Sequence, residues 1–205
     1  MKILTIIQAR LNSTRLPGKM LLPIGTSPSL AARVISNASK SELSNKTILA
    51  TSTENSDNKL YEHINNLGLN VFRGDLANVL KRFYDLATIE QADIVVRLTG
   101  DCPLITGDWI DNAISVFLEL REKEEIDYLG YPEELPDGLD IEIFTYEALK
   151  KAYSEASNEI ELEHVTPYIW KHPEKFSQKK LPCRKNNYSL FRLSIDTKSD
   201  YDFIG

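Results

Sequence analysis

Short apolar runs alternate along this chain with amphipathic stretches of helical length, and this alternation constrains the fold more than any other feature. The strand-like runs are ILTII (3–7), TILAT (47–51), NVFRG (70–74), DIVVRL (93–98), DYLGY (127–131), DIEIF (140–144) and SLFRLSI (189–195). Strands that alternate with helices of about 10–15 residues are typical of βαβ units. The pattern therefore predicts an α/β fold with a largely parallel sheet.

The helical stretches lie between these runs, and residues 76–89 illustrate their pattern. Apolar side chains recur there at a spacing of about 3.6 residues, which gives the helix one apolar face. The predicted helices are Ser29–Ser39, Asp57–Leu67, Leu76–Ile89, Asp108–Lys123, Tyr146–Ala156 and Glu159–Trp170. The last two strands follow a Pro-Asp-Gly turn and a two-helix insertion, so we expect the sheet to be mixed.

A single soluble domain is expected from the length and composition of the chain. Its 205 residues are 42% hydrophobic and 26% charged, and no repeat, low-complexity segment or linker divides them. We expect one domain over residues 1–205, and whether its C-terminal helix is truncated stays open. No run approaches the roughly 20 apolar residues of a membrane span, and the first ten residues lack the features of a signal peptide. The expected location is cytoplasmic, without membrane insertion.

Basic side chains are concentrated at the start of the chain, although the net charge is −6. Residues 1–41 contain six Lys or Arg residues and no Asp or Glu. Arg10, Arg15 and Lys19 fall within QARLNSTRLPGKM (8–20), which follows the first predicted strand. A local positive field in an acidic protein favours a small anionic ligand over nucleic acid, which requires a broad basic face.

The segment that contains these three cations has the composition of a phosphate-binding loop. In parallel sheets, ligands bind beyond the carboxyl ends of the strands, where this loop is expected to lie. Gly18 and the turn around it free backbone N–H groups for phosphate oxygens, and the cationic side chains supply positive charge. The loop matches neither the Walker A pattern nor GxGxxG. The alternative interpretation is a solvated surface turn.

Six sequence blocks extend this pattern from Ile6 to Ile204. They are QARLNSTRLPGKML, FRGDLANVLKRFYDLA, IVVRLTGDCPLI, PDGLDIEIF, EHVTPYI and RLSIDTKSDYDFI. In this order they resemble the spore-coat-polysaccharide branch of the cytidylyltransferase family, relatives of CMP-Kdo and CMP-acylneuraminate synthetases. The resemblance implies a Rossmann-like nucleotidyltransferase fold, with three α/β/α layers. It also implies a homodimer that transfers CMP from CTP to a sugar of the acidic ulosonic or nonulosonic type, releasing pyrophosphate, for surface polysaccharide synthesis.

The same resemblance implies roles for residues near the ends of the predicted strands. The predicted catalytic residues are Arg10, Arg15, Lys19 and Asp101. The predicted nucleotide-binding residues are Gln8, Ala9, Ser13, Thr14, Gly18, Thr51, Ser52, Arg73, Gly74, Arg97 and Thr99. The predicted sugar-binding residues are Asp140, Glu142 and His164. Thr51 and Ser52 end a strand and are expected to recognise the edge of the base. Asp140 and Glu142 are two residues apart on a predicted strand, so both face the same side of it. The alternative to sugar binding is that this side is a solvated edge.

Two aspartates are predicted to hold Mg²⁺, the expected cofactor. Asp101 follows a strand and a glycine in RLTGDCPLI, similar to the Gly-Asp-Glu-Pro-Leu run in which CMP-Kdo synthetases hold the metal, with Cys102 in place of the Glu. Asp196 ends the last predicted strand, and the resemblance places its counterpart on the same metal. Mg²⁺ usually takes one or two carboxylates together with substrate phosphates and water. The alternative for either aspartate is to cap the helix that follows it.

Two other classes of function fit an α/β sheet with an anion-binding loop. A glycosyltransferase of similar fold would consume a nucleotide sugar, but it usually carries an Asp-x-Asp motif that residues 101–103 lack. A non-catalytic sugar-nucleotide-binding protein would not need both Asp101 and Asp196. The favoured function is therefore a Mg²⁺-dependent cytidylyltransferase whose partners are CTP and a small sugar.

Overall fold

The computed structural model describes residues 1–183 and 187–205, which form a seven-stranded sheet of order β3-β2-β1-β4-β6-β5-β7. The strands are β1 (Ile3–Gln8), β2 (Lys46–Ser52), β3 (Val71–Gly74), β4 (Ile94–Thr99), β5 (Tyr128–Gly130), β6 (Glu142–Thr145) and β7 (Gln178–Lys180). The helices are α1 (Leu30–Ala38), α2 (Asn58–Asn66), α3 (Val79–Ile89), α4 (Gly107–Lys123), α5 (Tyr146–Glu155), α6 (Glu159–His164), α7 (Pro167–Lys171) and α8 (Lys198–Ile204). Short 3₁₀ turns occur at Lys19–Leu21 and Asn55–Asp57.

The first strand lies inside the sheet because β1 pairs in parallel with both β2 and β4. Every residue of β1 except Gln8 is buried, as expected for an apolar strand covered on both faces. β2 pairs in parallel with β3, and β5 with β7. Only β6 runs against its neighbours, β4 and β5, among the described strands. This mostly parallel, mixed sheet confirms the predicted fold class.

Helices cover both faces of the sheet, and the sheet divides the core into two layers. One layer contains Ile35 of α1 and Phe117 of α4, and the other contains Phe83 of α3 and Leu149 of α5. All four side chains are buried to 1% exposure or less, and full burial of such side chains is worth about 1.5–3 kcal/mol each. Among the described residues, no helix combines the length and the apolar character that crossing a membrane requires.

Two predicted helix boundaries are wrong for local reasons. The helix predicted from Leu76 begins at Val79, because the Asn78 side chain accepts a hydrogen bond from the Lys81 N–H and so caps the first turn. The helix predicted over residues 159–170 is broken into α6 and α7. The break lies at Val165, whose φ of 72° is incompatible with a right-handed helix.

The strand predicted at residues 189–195 is also wrong. In this segment only Arg192 forms a β-bridge, to Asp137. Its apolar alternation does not follow a buried face, because Leu190 is 96% exposed and Phe191 61% exposed. The sheet instead ends in β7, whose polar sequence gave no strand signal.

Candidate functional site

A cavity of about 350 Å³ opens at the carboxyl ends of β1 and β4. These strands end side by side, with Gln8 opposite Thr99, so the loops that follow them meet above the sheet. Most of the predicted catalytic, phosphate-binding and metal-binding residues line this cavity: Gln8, Ala9, Arg10, Ser13, Thr14, Arg15, Lys19, Thr99, Asp101, His164 and Asp196.

Two glycines allow the loops after β1 and β4 to take their shape. Gly18 has a φ of +72°, a conformation that favours glycine, and its N–H donates back to the Leu11 carbonyl at 3.3 Å. A Cβ at Gly100 would lie only 2.9 Å from the Cβ of Ala9. Close packing of the two loops therefore depends on the missing side chain at Gly100.

Lys19 connects the two aspartates that were predicted to share a metal. Its side chain is almost completely buried, and Nζ lies 2.9 Å from Asp101 Oδ2 and 2.9 Å from Asp196 Oδ1. Two oxygens that contact one ammonium group cannot be further apart than twice that distance. The structure thus brings Asp101 and Asp196 together, although they come from distant parts of the chain.

The environment of Asp101 keeps its carboxylate ionised. Burial is the largest effect and would raise the pKa of Asp101. The charge and hydrogen bond of Lys19, with a further hydrogen bond from Thr99, outweigh burial and leave the pKa below its ordinary value. A charged carboxylate is what a divalent cation requires from this position.

Asp196 is surrounded by cations. Arg15 Nη2 lies 2.9 Å from the same Oδ1 that Lys19 contacts, and Arg192 donates to Oδ2. Arg192 was not among the predicted site residues. The only sequence signal for its role is that it precedes Asp196 by four residues. The sequence pattern predicted Arg192 as part of the strand at residues 189–195 instead.

Neither metal-binding candidate is a helix cap. Thr106 caps α4, and Thr197 caps α8 in a capping box with Asp200. Two carboxylates that converge on one cation fit the oxygen donors that Mg²⁺ or Mn²⁺ prefers. The described residues contain no group of three or more His, Cys, Asp or Glu side chains arranged for a metal. Asp101 and Asp196 stay the predicted ligands of a divalent cation.

Six predicted nucleotide-binding residues do not line the cavity: Gly18, Arg97 and four residues of β2 and β3, which are Thr51, Ser52, Arg73 and Gly74. Thr51 and Ser52 are completely buried in β2, and the Ser52 hydroxyl donates to Asp57. The Thr51 hydroxyl is the one buried side-chain N or O atom without a hydrogen-bond partner in the described part of the chain. Arg73 Nε donates to the Ser52 carbonyl at 2.8 Å, and its guanidinium group lies over Tyr61. Their roles in recognising the base stay predictions.

The last of these residues, Gly74, makes room for an arginine that does line the cavity. A Cβ at Gly74 would lie 2.7 Å from Arg82 Cγ. Arg82 is 2% exposed, and its Nε donates to the Asp75 carbonyl at 2.9 Å. Burial lowers the pKa of Arg82 from its ordinary value. Arg82 supplies a further cation at the cavity wall. Its place on a predicted helix does not show whether its side chain faces the site or the solvent.

Arg97 contacts Gln8 on one side and Glu142 on the other. Its Nε donates to Gln8 Oε1 at 3.1 Å, and Nη1 donates to Glu142. Glu142 is 4% exposed and also accepts from the Thr166 hydroxyl at 2.8 Å and from Tyr128. Burial and the neighbouring Glu142 raise the pKa of Tyr128 well above its ordinary value. The buried carboxylate thus has the cation and hydroxyls that its burial requires.

The predicted sugar-binding residues fall in different places. His164 lines the 350 Å³ cavity, where its neighbour Glu163 lies 3.4 Å from Arg10. Glu142 lies instead in the wall of a second cavity, of about 640 Å³, next to Tyr131. Asp140 precedes β6 rather than belonging to it. The structure therefore does not gather these three predicted residues into one cavity.

Cys102 replaces the glutamate of the related motif and is a packing residue. Its thiol is 1% exposed and contacts the Thr99 hydroxyl at 3.0 Å. Burial raises the pKa of Cys102 well above its ordinary value. A buried thiol of this kind is not a nucleophile.

The sequence has relatives along its whole length. A family model described as cytidylyltransferase matches residues 4–205. An uncharacterised protein of Methanocaldococcus jannaschii is 39% identical over 202 residues, which cover 98% of this chain and 81% of that protein. The spore coat polysaccharide biosynthesis protein SpsF of Bacillus subtilis is 34% identical over 214 residues, which cover 98% of this chain and 84% of SpsF. The 3-deoxy-manno-octulosonate cytidylyltransferase of Chloroherpeton thalassium is 35% identical over 121 residues, 58% of this chain and 47% of that enzyme.

A solved structure agrees with these sequence relationships. The structure of a cytidylyltransferase from Leptospira borgpetersenii matches this chain with a TM-score of 0.90 and 37% sequence identity. The match covers 98% of this chain and 84% of that chain. The similarity in sequence and in fold therefore extends over the loop after β1, the end of β4 and the segment that carries Asp196.

Proposed function

Because the chain belongs to the cytidylyltransferase family, we propose that it transfers CMP from CTP to a sugar and releases pyrophosphate. The observation that carries the proposal is the meeting of the basic loop with Asp101 and Asp196 in one cavity. The cations of the loop can bind a triphosphate, and the two carboxylates that they contact can hold a divalent cation. Transfer of a nucleotidyl group needs both.

In the proposed reaction the protein mainly positions the reactants and neutralises their charge. A sugar hydroxyl attacks the α-phosphorus in line, and pyrophosphate leaves. Arg10, Arg15 and Lys19 neutralise the charge of the phosphate oxygens. Asp101 and Asp196 hold Mg²⁺, which when bound neutralises phosphate charge and lowers the pKa of the attacking hydroxyl.

We propose an acidic ulosonic or nonulosonic sugar as the acceptor, for the synthesis of a surface polysaccharide. Two relatives support this: one is named for spore coat polysaccharide biosynthesis and the other for 3-deoxy-manno-octulosonate. His164 is the predicted sugar-binding residue that lines the same cavity as Lys19 and Asp101. We further propose a single-domain, cytoplasmic homodimer. Light scattering on the purified protein tests the homodimer directly.

A pyrophosphate-release screen tests the proposed reaction. ATP, CTP, GTP and UTP are each offered with Mg²⁺ and a panel of acidic and amino sugars. We expect release only with CTP and only with an acidic sugar. Asp101→Asn should reduce that rate by orders of magnitude because it removes a charge that balances the metal. Asp85→Asn, which alters a surface pair with Lys81 on α3, should not. Release with another nucleotide in preference to CTP would contradict the proposal.

A further inference from the structure

The acidic pair of Asp101 and Asp196 is neutralised by side chains of the protein itself. Lys19 contacts both carboxylates, and Arg15 and Arg192 each contact Asp196. Three cations therefore contact the acidic pair, and Arg192 Nε also lies 3.5 Å from Asp200 and 3.7 Å from Asp137. A further divalent cation placed there would be repelled unless some of this positive charge moved or gained another partner.

The Lys19 ammonium group lies between the two carboxylates, where a cation that bound both of them would have to lie. A lysine ammonium group has three N–H donors. Those of Lys19 match three acceptors, Asp101 Oδ2 at 2.9 Å, Asp196 Oδ1 at 2.9 Å and the Ile195 carbonyl at 2.8 Å. With only 7% of Lys19 exposed, water screens these contacts little. A cation that bound both aspartates would have to replace this ammonium group.

Lys19 is also placed so that it can leave. It follows Gly18 directly and belongs to the loop that lines the cavity. A lysine side chain is a flexible four-carbon stem with a compact charge. A triphosphate in the cavity would offer Lys19 and Arg15 several anionic oxygens, which are stronger partners than one shared carboxylate.

We propose that Lys19 excludes divalent cations from Asp101 and Asp196 until a triphosphate draws its ammonium group into the cavity. The identity of the triphosphate rests on the proposed function, whereas the exclusion rests only on the contacts of Lys19. The metal and the nucleotide then bind with positive coupling, each favouring the other. In this scheme Lys19 positions the acidic pair before it binds phosphate.

Binding of Mn²⁺ in the absence of any nucleotide tests the exclusion. Lys19→Met keeps the length of the side chain and removes its charge. Free Mn²⁺, measured by electron paramagnetic resonance, should show binding about tenfold or more tighter to this variant than to the unmodified protein. Lys46→Met is the matched control, because Lys46 pairs with Glu90 and begins β2, at the end of the strands away from the cavity. It should leave Mn²⁺ binding unchanged.

Thermal unfolding gives a second readout and reports whether the variants fold. Lys19→Met leaves the buried Asp196 and the partly buried Asp101 without their shared cation, so its melting temperature should fall. Adding Mn²⁺ should raise that temperature more than it raises the temperature of the unmodified protein. Arg15→Met, on the exposed part of the loop, serves where Lys19→Met does not fold, and it should give a smaller gain in Mn²⁺ affinity.

Two results would overturn the proposal. One is equal Mn²⁺ affinity in the unmodified protein, in Lys19→Met and in Arg15→Met. The other is a gain in affinity that persists in a Lys19→Met, Asp101→Asn double variant, since the metal would then bind elsewhere. Failure of the proposed function is seen separately, as absence of pyrophosphate release from every nucleotide while the gain in Mn²⁺ affinity remains.

Discussion

The fold raises the pKa of the Asp140 carboxyl group, so part of it stays protonated near pH about 6. Burial, followed by the charge of Asp137, raises the pKa of Asp140 to about 6 from its ordinary value of 3.8. The folded protein therefore binds a proton that the unfolded chain has lost between pH about 4 and pH about 6. This contribution to the free energy of unfolding is complete below the ordinary pKa and is lost as the pH rises through the folded value.

The variant Asp140→Asn should remove this dependence on pH. Its free energy of unfolding, measured with denaturant at several pH values, should rise relative to that of the unmodified protein between pH about 4 and pH about 7. The amide keeps the shape of the side chain and cannot ionise. A difference between the two proteins that stays constant across this range would contradict the raised pKa.

Asp111 supplies a control of opposite sign. Burial would raise its pKa, but hydrogen bonds from Ser41 and from the backbone N–H groups of Glu42 and Leu43 leave it below the ordinary value. Its contribution to stability is present above the ordinary pKa and is lost as the pH falls through the folded value. Asp111→Asn should therefore be less stable than the unmodified protein at neutral pH, and the difference should shrink in acid.

Single residues of the site show which part of it a sequence can predict. The family resemblance, the residue types and the strand ends together predicted Arg10, Arg15, Lys19, Asp101 and Asp196, and the structure brings them to one cavity. The same reasoning placed Thr51 and Arg73 at the nucleotide, although their neighbours keep them in the sheet. A strand end marks where a ligand can bind. Which side chains fill the space beside it depends on tertiary packing, as with Arg82 behind Gly74.

At the scale of elements, one turn positions the segment that carries half of the acidic pair. Gly138 has a φ of +104°, and a Cβ there would lie 2.4 Å from the backbone carbon of Leu193. The neighbouring Asp137 forms the bridge to Arg192, and its backbone N–H donates to the Phe191 carbonyl. The turn before β6 therefore holds the chain close to Asp196 by direct backbone contact.

Substitution of this glycine tests the positioning. Gly138→Ala should both strain the backbone and displace residues 192–194, so that the melting temperature and the affinity for CTP with Mg²⁺ both fall. Gly68→Ala is the matched control, because Gly68 has a φ of +70° but nothing within 4 Å of an added Cβ. It should lose only the cost of backbone strain, about 1 kcal/mol, measured by denaturant unfolding. CTP affinity that stayed unchanged in Gly138→Ala would contradict a positioning role.

Elements were predictable where apolar spacing and burial agree. β1, β2, β4 and the apolar helices have patterns that match their buried faces, and their boundaries differ little from those predicted. The pattern misled at residues 189–195, because Phe191, Leu193 and Ile195 alternate with polar residues as in a strand, yet Phe191 and its neighbour Leu190 face solvent. β7 is held by pairing with β5 and has no apolar face of its own. The order of the strands is a tertiary property that local spacing does not contain.

The molecule carries an excess of positive charge in its first 41 residues and an excess of negative charge in the rest of the chain. The net charge is −6, although residues 1–41 have no acidic side chain. Arg10 and Arg15 have side chains that are 55% and 58% exposed. Their attraction for a nucleotide is therefore open to screening by salt.

Salt should weaken nucleotide binding measurably. Calorimetric titration of CTP should show an affinity that falls by about tenfold between low and high NaCl concentrations. An Arg10→Ala, Arg15→Ala double variant should bind more weakly and show a shallower dependence on salt, because fewer screened charges remain. Arg121→Ala, on the exposed side of α4, should keep the original dependence. Equal salt dependence in all three proteins would show that the loop cations do not face the nucleotide.

The contact between Lys19 and Asp196 has a consequence for how the chain is made. It joins a residue near the start of the chain to one near residue 200, and Tyr201 likewise donates to the Pro23 carbonyl. A ribosome adds about 5–20 residues per second, so β1 and its loop leave the exit tunnel many seconds before their partners exist. Contacts between distant residues also form slowly, because a long loop must close first. The site therefore assembles only after synthesis has passed Asp196, and nucleotide binding would report that the two distant segments have met.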